Sequence, residues 1–114
     1  MNQITGITSQ PKQHFSVQLD DGSQVAFVLE YRPQQLAWVA DITWGTWVLN
    51  GLRLVSSPNL LRPYFGEIPF GLMILSEDNV DPLNLVDFEH GTSAVYLLNA
   101  ADVATVEVTA YSGF

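Results

Sequence analysis

Cysteine is absent from the 114 residues. Disulfide staples, thiolate chemistry and sulfur-ligated zinc are therefore excluded, and the absence fits synthesis in a reducing cytoplasm. Basic residues are scarce: Lys12, Arg32, Arg53 and Arg62 stand against twelve acidic residues, and the net charge is −8. Proteins grip nucleic acid chiefly by neutralising phosphates, so this chain is expected to repel DNA. A sustained helical period is missing too, as is any apolar run long enough to span a membrane. The start, Met1–Gly6, has no basic stretch followed by an apolar one, so no signal peptide is expected.

What is present is apolar and alternating. Hydrophobic residues make up 47% of the chain, well above what a disordered chain carries. The length suits one hydrophobic core, and residues 1–114 are expected to form a single β domain. Phe15, Val17 and Leu19 alternate with Ser16 and Gln18. Asp20-Asp21-Gly22-Ser23 then supplies a turn, because Asp-Gly favours positive backbone dihedrals. From Gln24 to Arg32, Val25, Phe27, Leu29 and Tyr31 share one face, which completes a hairpin. After Pro33-Gln34-Gln35, a strand from Leu36 to Thr43 places Leu36, Trp38, Ala40 and Ile42 together. Gly45 marks a reversal. Asn50-Gly51 reads as a second hairpin turn, with Leu52 and Leu54 on the return strand.

The pattern lapses from Ser56 to Gly71, a segment with three prolines and two glycines among large apolar residues. It cannot be a regular strand, yet it is too greasy for an ordinary solvent loop. A strand from Leu72 to Leu75 follows. Glu77-Asp78-Asn79 and Asp81-Pro82 form an acidic turn, with one helical turn from Pro82 to Val86 capped by Asp81. Ala94–Leu98 and Ala104–Ala110 read as the last two strands. The expected fold is all-β: a small antiparallel β-sandwich or β-barrel of about seven or eight short strands with one long irregular loop.

No catalytic, cofactor-binding or metal-binding set emerges. His14 and His90 have no partner at metal spacing. Glu77, Asp78 and Asp81 resemble half of a calcium loop but lack its glycine and its distal glutamate. There is no glycine-rich phosphate cradle and no nucleophile elbow. The three tryptophans Trp38, Trp44 and Trp47 fall within ten residues. Trp38 shares its strand face with apolar residues alone and belongs to the core. Trp44 and Trp47 flank Gly45, where an exposed ring would serve either as a sugar platform or as an anchor for a protein partner. Their chemistry alone leaves both open.

The order of motifs resembles one family, the baseplate plug protein of contractile-tailed phages of the type found in cyanophage. The matching features begin with Pro11-x-Gln13-x-Phe15, Leu29-Glu30-Tyr31-Arg32, Trp38-x-x-Asp41-Ile42 and Gly51-x-x-Leu54. They continue with Asn59-Leu60-Leu61-x-Pro63-Tyr64, Pro69-Phe70-Gly71-x-Met73, an Asp81-Pro82 turn, and Gly91 before Val95-Tyr96-Leu97. The resemblance covers roughly Pro11 to Leu98. It implies a structural virion protein with no enzymatic activity and no cofactor, made in the host cytoplasm and placed in the tail baseplate. There it would plug or line the tube end beside hub, spike and tube proteins, in several copies around the tail axis, with no nucleic-acid or membrane partner. The competing expectation is a small β-sandwich carbohydrate-binding module using Trp44 and Trp47. Trp44, Trp47, Leu60, Leu61, Tyr64, Phe65, Ile68 and Phe70 are the candidate protein–protein interface, and the rival reading of the segment from Ser56 to Gly71 is a long loop folded back over the open end of the sandwich.

The charge balance makes one prediction. At physiological salt, low-micromolar protein should leave the mobility of labelled duplex DNA unchanged; a shift would refute the exclusion of a DNA partner.

Overall fold

The computed structural model describes residues 2–64, 67–77 and 81–110, with the backbone alone for Asn2. Over these residues seven strands form two antiparallel sheets. The larger is a meander of β2 (Lys12–Gln18), β3 (Gln24–Arg32), β4 (Ala37–Trp44) and β5 (Trp47–Arg53), hydrogen-bonded in that order. The smaller has the order β1-β7-β6, from Asn2–Ile4, Ser93–Leu98 and Gly71–Ser76. A helix, α1, follows from Ala100 to Ala110. The sheets are open, so the sandwich expectation holds and the barrel does not.

The alternation read from the sequence is what builds the core. Val25, Phe27, Leu29, Trp38, Ala40 and Ile42 of the large sheet pack in one cluster with Ile4, Leu72, Ile74, Val95 and Leu97 of the small one. The β2–β3 hairpin forms where Asp-Gly predicts it. Gly22 adopts φ 88°, and Leu19 N–H donates to Ser23 O at 2.7 Å. The Asp21 carboxylate accepts from the Ser23 hydroxyl at 2.6 Å and from its N–H at 2.9 Å. Those two bonds, the hydroxyl first, hold the Asp21 carboxyl below its usual range.

Trp38 is fully buried and joins the sheet to the segment between β6 and β7 that closes over it. Its indole N–H donates to Asn84 O at 3.2 Å, and the Tyr31 hydroxyl donates to Leu83 O at 2.7 Å. The Trp38 ring meets Phe88 edge-on at 5.7 Å.

Between the sheets, the segment after β5 runs along the free edge of β6. Ser57 and Ile74 exchange N–H···O bonds of 3.1 and 3.0 Å, and Leu60 N–H reaches Leu72 O at 2.7 Å. Asn59, 3% exposed, aligns this edge: its Oδ1 accepts from Leu61 N–H at 3.0 Å and from Leu72 N–H at 3.2 Å. The side-chain amide replaces the main-chain carbonyl that a regular strand would offer Leu72. Gly71 lies against it so closely that a Cβ there would sit 2.8 Å from Oδ1.

Several expectations are corrected. Asn50-Gly51 is not a hairpin turn but a bulge inside β5. Ile42 pairs with Leu49 and Ala40 with Leu52, leaving two residues opposite Asp41; Gly51 takes φ 76° and donates its N–H to Asp41 Oδ1 at 2.8 Å. Asn-Gly suits both structures because both require the left-handed region. Leu36 is not on the core face of β4. It closes the preceding turn at φ 49° and is 52% exposed, a conformation that costs a branched residue about 1 kcal/mol.

Ala104–Ala110 is not a strand but the end of α1. Asn99 caps the helix: its Oδ1 accepts from Asp102 N–H at 2.8 Å, while Asp102 Oδ2 accepts from Asn99 N–H at 3.2 Å. Thr105 and Thr109 satisfy their hydroxyls on carbonyls four residues back. Asp81 caps no helical turn; its carboxylate accepts from Ser56 N–H at 2.9 Å. The turn falls later, where Asn84 N–H donates to Asp87 Oδ2 at 2.9 Å and His90 N–H to Val86 O at 2.8 Å. The acidic-turn residues Asp78 and Asn79 lie outside the described residues.

Three outcomes follow for denaturation measurements. Asn59→Ala leaves two buried N–H groups without an acceptor and should cost about 2–4 kcal/mol, and Gly71→Ala should cost about 1–3 kcal/mol through overpacking. Trp38→Ala should cost about 3–5 kcal/mol, and wild-type stability in any of the three would contradict the packing described.

Candidate protein interface

The structure gathers the described candidate residues where the β4–β5 hairpin meets the segment after β5. Trp44 and Trp47 are cross-strand partners flanking the turn at Gly45, whose φ is 58°. Partners in an antiparallel pair share a face, so both rings lean toward the inner side. There Phe70 receives them edge-on, with centroids at 6.2 Å from Trp44 and 6.1 Å from Trp47. Tyr64, at the end of a 3-10 turn (Arg62–Tyr64), meets Trp47 at 5.4 Å and an interplanar angle of 75°.

The eight candidates divide by burial. Leu61, Ile68 and Phe70 are 1%, 9% and 2% exposed; they fill the domain's own core. Trp44, Trp47, Leu60 and Tyr64 are half-buried, packed on the core from one side and open on the other. Phe65 lies outside the described residues. Prolines stop the segment from forming a strand, and Leu61, Ile68 and Phe70 turn inward to cap the core. Its outer surface is tied to α1 by Arg62 Nε, 3.0 Å from Glu107 Oε1.

Both tryptophans are engaged edge-on by rings of the domain itself, Trp44 by Phe70 and Trp47 by Phe70 and Tyr64, and nothing in this arrangement supports a sugar platform. Trp44's indole N–H donates to Ser23 Oγ at 3.0 Å. Trp47's indole N–H has no acceptor among the described residues. Trp47 therefore keeps a half-open ring and an unused donor at the surface.

Val48 was not singled out from the sequence, yet it is 55% exposed on the outer face beside these rings. Its signal is plain once the register is known: it alternates with two inward-facing residues, Trp47 and Leu49.

Elsewhere, among the described residues, the polar groups build no reactive set. A hollow of about 210 Å³ is lined by Glu77, Asp81, Leu83, Asn84, Asp87, Thr92 and Ser93. Asp81 and Asp87 accept hydrogen bonds there from neutral donors, Ser56 N–H, Asn84 N–H and the Thr92 hydroxyl. No histidine or cation lines it. Glu89, fully exposed, has its carboxyl held below the usual range by hydrogen bonds from Ser9. Among the described residues no group of three or more His, Asp or Glu side chains is placed to hold a metal ion.

A search of curated proteins found no match. The family model described as cyanophage baseplate Pam3 plug gp18 matches residues 1–100, which takes in all seven strands and both sheets. The chain belongs to the cyanophage baseplate plug family.

Proposed function

We propose that the chain is a structural component of a contractile tail that plugs or lines the end of the tube in the baseplate, beside hub, spike and tube proteins. The observation that carries this reading is the family match over residues 1–100. Its role is mechanical rather than catalytic, and it acts in several copies around the tail axis after synthesis in the host cytoplasm. The net charge of −8 suits a surface near a DNA exit path, because like charge keeps passing phosphates from adhering.

The contacts that hold it in place are assigned to the half-open aromatic end: Trp44, Trp47, Leu60 and Tyr64. Leu61, Ile68 and Phe70 act indirectly, by holding that end rigid from below.

The reading is tested in phage. Antibody against the chain should label the distal end of purified tails, and label elsewhere in the virion would overturn the placement. Trp47→Ala and Tyr64→Ala should leave a folded protein by circular dichroism yet deplete it from tails, since truncating an interface anchor typically costs about 2 kcal/mol or more. Incorporation of both variants at the wild-type level would remove this end from the interface.

A further inference from the structure

The register of the large sheet brings together residues that are far apart in the chain. Lys12 pairs with Glu30, Glu30 with Val39, and Val39 with Arg53. Partners share a face, and Leu29 and Tyr31 on either side of Glu30 point into the core. This row therefore lies on the outer face. Arg32, two residues along, points the same way and pairs with Ala37. Three of the four basic residues of the chain thus occupy one patch, roughly 14 Å wide at three strand spacings.

Within the patch Arg32 is held by Glu30 at 3.1 Å. Lys12 and Arg53 are exposed, and neither has an ion-pair partner among the described residues. The turn that joins Arg32 to Ala37 presents Leu36, 52% exposed at φ 49°. Leu36 N–H closes the turn on Pro33 O at 3.3 Å, but half of its branched side chain faces solvent from a left-handed backbone position. Exposed strain of this kind points to a role in contact. The carboxylates of Glu30 and Asp41 lie on the same face, so the patch sets three cations against two carboxylates, with the exposed Leu36 at its edge.

The rest of the chain is its electrostatic complement. Of the twelve carboxylates only Glu30 and Asp41 belong to the four strands of the large sheet, and outside those strands the one basic residue is Arg62, which is bonded to Glu107.

We infer that the outer face of the large sheet around Lys12, Arg32, Leu36 and Arg53 docks on the acidic surface of a second copy of this chain. The contact is heterologous: a basic, knobbed face on one copy meets acidic ground on the next, the kind of contact that repeats around an axis. The inference rests on the proposed baseplate reading for its place in the assembly, and it names a surface distinct from the aromatic end.

Lys12 is the single lysine of the chain, which makes the contact directly readable. Full-length protein, mixed as unlabelled and nitrogen-15-labelled copies, is treated with a carbodiimide that joins amines to carboxylates without a spacer. Mixed-isotope peptides linking Lys12 to Asp or Glu residues outside β2–β5 are expected. In sedimentation equilibrium the wild type should associate reversibly. The Lys12→Glu/Arg53→Glu double variant should weaken that association at least about tenfold. Leu36→Asn should weaken it about tenfold while leaving Tm unchanged or raised, because asparagine accepts the left-handed conformation. A simple loss of folding would lower Tm instead.

A wild type that stays monomeric to millimolar concentration, or mixed-isotope links that avoid Lys12, would overturn the inference. So would duplex DNA held by the wild type and released by the double variant, which would give the face to nucleic acid. The two readings fail separately. A strictly monomeric protein found in tails defeats the surface alone, and a self-associating protein missing from tails defeats the baseplate reading alone.

Discussion

One buried amide oxygen, Oδ1 of Asn59, governs how the chain leaves one sheet and enters the other. The crossing from β5 to β6 contains Pro58, Pro63 and Pro69, so it cannot offer a full ladder of main-chain bonds. An unpaired N–H at Leu72 in a dry core would cost as much as several good contacts return. The amide fills that gap, and Gly71 leaves room for it. With the edge of β6 covered, Leu61, Ile68 and Phe70 fall onto the core. Phe70 then supplies the ring against which Trp44 and Trp47 rest. The proposed aromatic contact surface is thus a downstream product of a satisfied hydrogen bond.

The opposite closure uses the same logic with donors in place of acceptors. Burying Trp38 and Tyr31 strands an indole N–H and a phenol unless carbonyls are brought to them. The turn after β6 brings the carbonyls of Leu83 and Asn84, and Phe88 follows onto the Trp38 ring. At both closures the described residues of the irregular segments are tied down by a few polar contacts inside apolar surroundings.

Much of this was legible in advance where a single local cause acts. Strict alternation and an Asp-Gly turn determine β2 and β3, and the apolar face around Trp38 determines its burial. The failures share a cause as well: the same local chemistry serves two structures. Asn-Gly marks positive dihedrals, and a bulge needs them as much as a turn does. The run from Ala104 to Ala110 is rich in Val and Thr and looks extended, yet the cap at Asn99 and the Ala-Ala start commit it to a helix. Leu36 was assigned inward by period, but the tight turn after Pro33 lifts it out of phase. Of the candidate interface, the sequence located the segment but could not divide it into core and surface, because Leu60 and Leu61 are chemically alike and differ only in which side of the crossing they occupy. The gathering of Lys12, Arg32 and Arg53 depends on three registers at once and was not legible at all.

The pairing of β1 with β7 has a further consequence for how the protein comes into being. Ile4 is matched with Val95, whereas every ladder in the large sheet joins neighbours along the chain. During vectorial synthesis the meander can therefore zip up from local contacts, while the first strand waits for nearly the last. Through that interval the inner side of the meander, with Phe27, Trp38 and Ile42, has no opposing layer. A nascent sheet with an open greasy side and free edges is prone to stick to others like it. The meander itself is nearly neutral, with Asp20, Asp21, Glu30 and Asp41 against Lys12, Arg32 and Arg53, so the mutual repulsion that works against such sticking arrives only as the carboxylates from Glu67 onward are added.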